Sequence, residues 1–181
     1  MTKKVLLLHG WGGSDFPHWQ SWLAGEIAKD YGEVSFLHFS DVDTPKIDIW
    51  KKELLDKLQT FQPDIVICHS LANTLWFHLC NEKPLPYVQH LLLVAPPSLS
   101  CTIEELKEFF PVEIPKKLYA QNSLLICSTN DPYMDENECM FLKENLKIEM
   151  KTIKDGGHLN AQSGYGQWPW IYEEVKRLTK T

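Results

Sequence analysis

Residues 65–73, Ile65-Val66-Ile67-Cys68-His69-Ser70-Leu71-Ala72-Asn73, decide how this chain folds. A short run of apolar, β-branched residues passes into a serine and then at once into a helical pattern, the signature of a buried strand turning sharply into a helix. A serine at such a turn has its hydroxyl lifted above the sheet, and the backbone N–H groups that open the helix face the same space. The turn requires small residues two before and two after the serine. Cys68 and Ala72 stand where glycine is usual, and both are small. The plain alternative is that Ser70 merely N-caps the helix, since serine is a preferred cap.

Working outward, further apolar runs suggest strands at Lys4 to His9, Val34 to His38, Ile65 to His69, His90 to Val94, Leu124 to Ser128 and Ile148 to Ile153. Their Val, Ile and Leu content suits strands covered on both faces. Helical periodicity fills the intervals near Trp19 to Asp30, Lys46 to Thr60, Leu71 to Cys80, Glu104 to Phe110, Glu136 to Asn145 and Trp170 to Thr179. This alternation predicts βαβ units, hence an α/β three-layer sandwich around a six-stranded parallel sheet. At 181 residues the chain fits one domain, residues 1–181. The stretch Ala95 to Gln121, punctuated by Pro96, Pro97, Pro111 and Pro115, is expected to make a small excursion over the sheet edge, bordering a cleft.

Composition excludes several function classes. Twenty-four acidic residues against 18 basic ones give a net charge of −6 with no basic run, so nucleic acid is not the expected partner. The apolar run Val5 to Leu8 is too short for a signal peptide or a membrane span, which points to a cytoplasmic protein without membrane association. Five scattered cysteines, an odd number without a C-x-x-C pair, favour free thiols over disulfides or a metal site.

Three other segments fall after candidate strands. His9-Gly10-Trp11-Gly12-Gly13 follows the first and can turn backbone N–H groups toward a ligand; the N–H of Trp11 would join that of Leu71 in an oxyanion site. Thr129-Asn130-Asp131-Pro132-Tyr133 follows the fifth and sets an acid at the carboxyl rim of the sheet, although an Asx turn before Pro132 would explain Asp131 equally well by itself. Lys154-Asp155-Gly156-Gly157-His158-Leu159-Asn160 follows the last and brings a histidine to the same rim. The order Ser70, Asp131, His158 completes the chemical logic of a nucleophile, an orienting acid and a base. Asp135 competes with Asp131 but is better placed to open the next helix. His69 is expected to point away from Ser70, and Cys68 to face the sheet interior. Trp11, Gly12 and Trp168 are candidates to wall an apolar acyl pocket.

The set HGWGG, CHSLA, STNDPY and GGHLN, with the final GYGQWPW, resembles the small α/β-hydrolase-fold serine hydrolases related to retinoblastoma-binding protein nine and to bacterial YdeN. The resemblance spans nearly the whole chain. It implies Ser70, Asp131 and His158 as a catalytic triad, with the loop after His9 near the oxyanion. The 61 positions from Ser70 to Asp131 must already hold helices and two strands, so no lid domain is expected, and the antiparallel strands that usually precede the first parallel strand are expected to be missing. The expected activity is hydrolysis of a small ester, thioester or amide, esterase-like or peptidase-like, on a small-molecule or short peptide substrate without metal or organic cofactor. An acyl transferase using the same acyl-enzyme is a variant of that reading. The competing class is a scaffold that binds a protein partner with vestigial catalysis.

Overall fold

The strand that precedes Ser70 lies deep inside a sheet. In a computed structural model, which describes residues 3–30 and 32–180, β3 (Ile65–His69) is buried along its whole length. It pairs in parallel with β1 (Lys4–Leu8) on one side and β4 (Val88–Val94) on the other. With β2 (Glu33–Leu37), β5 (Ala120–Ser128) and β6 (Glu149–Ile153), these form a six-stranded, all-parallel sheet in the order β2-β1-β3-β4-β5-β6. Strand order reverses between β1 and β3, and open α/β sheets bind ligands beyond the carboxyl ends of strands at such a reversal.

Alternation along the strands divides the core in two. Leu6, Leu8, Val66 and Cys68 face one layer, and Val5, Leu7, Ile65 and Ile67 face the other. The first layer holds α2 (Ile47–Phe61), α3 (Leu71–Glu82) and α4 (Glu136–Leu146); the second holds α1 (Trp19–Lys29) and α5 (Pro169–Thr179). Each outer helix buries one stripe, Trp50, Leu54 and Leu58 on α2, and Ile171, Val175 and Leu178 on α5, with charged residues opposite. The central helix α3 is buried nearly all round, which explains its poverty in charge.

Two expectations need correction. The edge strands β2 and β6 are not covered on both faces, since β6 leaves Glu149, Lys151 and Thr152 exposed and β2 is only half-buried. The excursion between β4 and β5, with a 3-10 turn at Glu104–Phe109, does not lie over a sheet edge. It packs on the α2 and α3 layer, where Phe109 meets Trp50 edge-on at 5.5 Å and the Trp76 indole N–H donates to Leu118 O at 3.0 Å. Its buried apolar residues Leu106, Phe109, Val112 and Leu118 join the core of that layer instead of building a lid domain. Among the described residues no helix is long and apolar enough to cross a membrane.

Candidate active site

Ser70 links β3 to α3 with φ 53° and ψ −123°, a backbone conformation that non-glycine residues rarely adopt. Several contacts hold it there. Ser70 N–H donates to Val94 O at 3.0 Å, and the Asn73 side-chain amide donates to Ser70 O at 2.8 Å and to Val94 O at 2.9 Å. Ser70 therefore makes no side-chain cap bond, so the capping explanation of this serine fails. Cys68 and Ala72 are fully buried on either side, and the turn forms without the usual glycines. Burial also pushes the Cys68 thiol well up from its ordinary range, which suppresses a thiolate.

The loop after β1 closes against this turn. A Cβ on Gly10 would stand 2.7 Å from Ser70 Cβ and 3.1 Å from Leu71 N, so only glycine permits the approach. Gly12 and Gly13 spend their N–H groups on Val42 O and Gly10 O, so neither is available to an oxyanion. His9 sets the loop's shape: its Nδ1–H donates to Gly10 O at 2.7 Å, and its Nε2 accepts from Phe39 N–H at 2.9 Å. Only a neutral imidazole can do both, and burial lowers its pKa accordingly.

Three side chains distant in sequence form one hydrogen-bonded line. His158 Nε2 is 2.8 Å from Ser70 Oγ, and His158 Nδ1 is 2.8 Å from Asp131 Oδ2 and 3.0 Å from Oδ1. The Asp131 side chain is 2% exposed, and its Oδ1 also accepts from Tyr133 N–H at 2.9 Å. The Asx turn expected as an alternative is thus present together with the histidine contact. Asp135 is elsewhere, N-capping α4 in a capping box with Glu138.

His158 rides on a loop fastened by groups that sequence reading overlooked. Asn130 Oδ1 accepts from Gly157 N–H at 2.7 Å, Thr129 Oγ1 accepts from Asp155 N–H at 2.9 Å, and Ser163 Oγ accepts from His158 N–H at 3.1 Å. Gly157 is at φ 55°, where a Cβ would strike Ser163 Oγ at 2.4 Å. The Tyr133 ring packs edge-on to the imidazole at 4.6 Å. His69 makes no hydrogen bond to Ser70 among those the structure shows; its Nε2–H donates to His158 O at 3.1 Å and its ring lies 5.2 Å from that of His158. Asn130 and Tyr133 flank Asp131 in the sequence and Asn73 lies three beyond Ser70, so adjacency to the candidate triad was the available signal.

A cleft of about 540 Å³ opens over Ser70 and His158. Trp11 and Gly12 line it, but Trp168 does not: it is buried between Trp19 and Tyr165 in the α1 and α5 layer. A tryptophan near a rim in sequence turned inward here because it precedes Pro169 at the start of α5, whose stripe faces the core. Pro97, Ile103, Leu106 and Tyr133 supply apolar wall in its place. Among the described residues no cluster of three or more His, Cys, Asp or Glu side chains is arranged to hold a metal ion.

Comparison with known proteins places this geometry. The chain is similar to YdeN of Bacillus subtilis (strain 168), 22% identical over 183 residues, covering 96% of this chain and 94% of that protein. The crystal structure of the B. subtilis ydeN gene product superposes with a TM-score of 0.88 at 20% identity, covering 99% of this chain and all of the other. The esterase domain of a Rhodothermus marinus protein shares the fold at 13% identity, with a TM-score of 0.66 over 96% of this chain and 84% of that one. A family model described as serine hydrolase matches residues 5–177, nearly the full length. The chain belongs to the serine hydrolase family.

Proposed function

We propose that the protein hydrolyses a small ester, thioester or amide through an acyl-enzyme on Ser70. His158 Nε2 takes the hydroxyl proton as Ser70 Oγ attacks the substrate carbonyl. Asp131 fixes the Nδ1–H tautomer and stabilises the imidazolium that forms, without itself being protonated. The negative charge that develops on the carbonyl oxygen is met by the N–H groups of Trp11 and Leu71, each such donor being worth about 2.7–4 kcal/mol in comparable sites. As the tetrahedral intermediate collapses, His158 gives its proton to the departing alcohol, thiol or amine. Water then attacks the acyl carbonyl with His158 again as base, and Ser70 regains its proton. No step calls on a metal or organic cofactor.

The observation that carries this reading is the unbroken Ser70–His158–Asp131 hydrogen-bond line at the floor of an open cleft. Trp11, Ile103 and Leu106 offer the acyl chain an apolar wall. Rapid mixing with p-nitrophenyl butyrate tests it: a burst of p-nitrophenol equal to the enzyme concentration, followed by slower turnover, is expected. No release above the rate given by Ser70→Ala would favour a binding scaffold and end the proposal.

A further inference from the structure

β5 is longer than its outer neighbour. It pairs with β4 from Ala120 onward, but with β6 only from Leu124, which stands opposite the first β6 residue, Glu149. Among the described residues, 120–123 therefore have no strand on the β6 side, although their other side is committed to β4. Four residues of bare strand edge offer about 13 Å of backbone to another extended chain. Gln121 and Asn122 are exposed there. A groove of about 650 Å³ runs along this edge, lined also by residues 115–118 leading into β5, by the turn between α4 and β6, and by the end of α5. It lies at the amino end of β5, whereas Ser70 follows the carboxyl end of β3, and the groove and the Ser70 cleft share no lining residue.

The groove is charged against the trend of the chain. Lys116, Lys117, Lys147 and Arg177 line it with two carboxylates, Glu149 and Glu174, in a chain of net charge −6. Glu174 is already bonded to Arg177, at 3.0 Å. Lys116 and Lys147 are exposed and have no ion-pair partner among the described residues. Lys147 caps α4 and Arg177 lies in the last turn of α5, helices on opposite faces of the sheet, so cations flank the edge on both sides. His90 in the same groove has its pKa lowered, first by burial and then by Lys3 and Arg177. We propose that this groove takes an acidic, extended segment of a partner protein, added as a strand to the free side of β5. Main-chain hydrogen bonds to the bare edge would supply affinity, and carboxylates meeting Lys116 and Lys147 would supply selectivity. Pairing this edge with the same edge of a second copy would set like charges together, so a second copy is not the occupant.

Fluorescence anisotropy with a fluorescein-labelled hexapeptide of alternating glutamate and valine tests the assignment. Saturable binding to the wild type is expected. The counterpart with lysine for glutamate should bind at least about tenfold more weakly, and the acidic peptide N-methylated at all its amides should lose at least about tenfold because it cannot pair as a strand. Lys116→Glu combined with Lys147→Glu should weaken the acidic peptide about tenfold with no change in melting temperature, since both side chains are exposed. Lysines also guard bare strand edges against self-pairing. Were that their whole role, the wild type would show no preference for the acidic peptide and the double variant would self-associate in light scattering, which would overturn the assignment. Equal binding of the plain and N-methylated acidic peptides would overturn it as well, because charge alone would then account for the contact.

Discussion

The two strands that deliver Ser70 and His158 are built in opposite ways. β3 is central, buried at every position, and carries Ser70 on a turn gripped by Gly10, Asn73 and Val94. β6 is an edge strand with three of its five residues exposed, and it carries His158 on a loop tied down by polar groups of other segments. Packing therefore fixes the serine, and a few hydrogen bonds fix the histidine. Chemistry that needs both at 2.8 Å is sensitive to different substitutions at its two ends.

The largest effect belongs to the acid that joins them. Asp131→Asn keeps the side-chain shape but allows the wrong imidazole tautomer, and kcat in ester hydrolysis should fall about 10⁴-fold with little change in melting temperature. Next is the packing end. Ile67→Ala, at a wholly buried site beneath the turn, should cost about 2–5 kcal/mol in urea unfolding, whereas Thr152→Ala on the exposed edge strand should stay within about 0.5 kcal/mol. Equal losses at both sites would erase the proposed contrast. The polar end follows: Asn130→Ala frees Gly157 N–H and should lower kcat about 100-fold through misplacement of the imidazole, while fluorophosphonate labelling slows in parallel.

The smallest expected effect is on stability against pH. His9, His18 and His69 are all buried with pKa values lowered from 6.5, chiefly by desolvation. Below about pH 6.5 the unfolded chain binds protons that the folded chain refuses, so stability is fully present above that pH and declines as pH falls toward the depressed values. Each of these histidines should contribute a slope of up to about 1.4 kcal/mol per pH unit in that window. Urea midpoints measured between pH 7 and pH 5 should fall, and a rise would contradict the neutral imidazole assigned to His9.

The same contrast explains what could be read from the sequence. The bounds Ile65–His69 were legible because a buried central strand has no polar alternation to blur it, and the other strands were found to within a few residues. That Ser70, Asp131 and His158 meet was legible because each follows a strand and their chain order is informative. Trp168 was misread because its position near a rim loop says nothing of which way a side chain turns, and α5 took it into the core. Asn130, Asn73 and Ser163 were missed because polar side chains that bond backbone groups across the fold carry no periodic signal.

The central claim is that Ser70 is the group that attacks. Incubation of the wild type and Ser70→Ala with a fluorophosphonate, followed by peptide mass analysis, tests it most directly. The account predicts one adduct, on the peptide carrying Ser70, and none in the variant. Equal labelling of both proteins, or an adduct on a different residue, would contradict it.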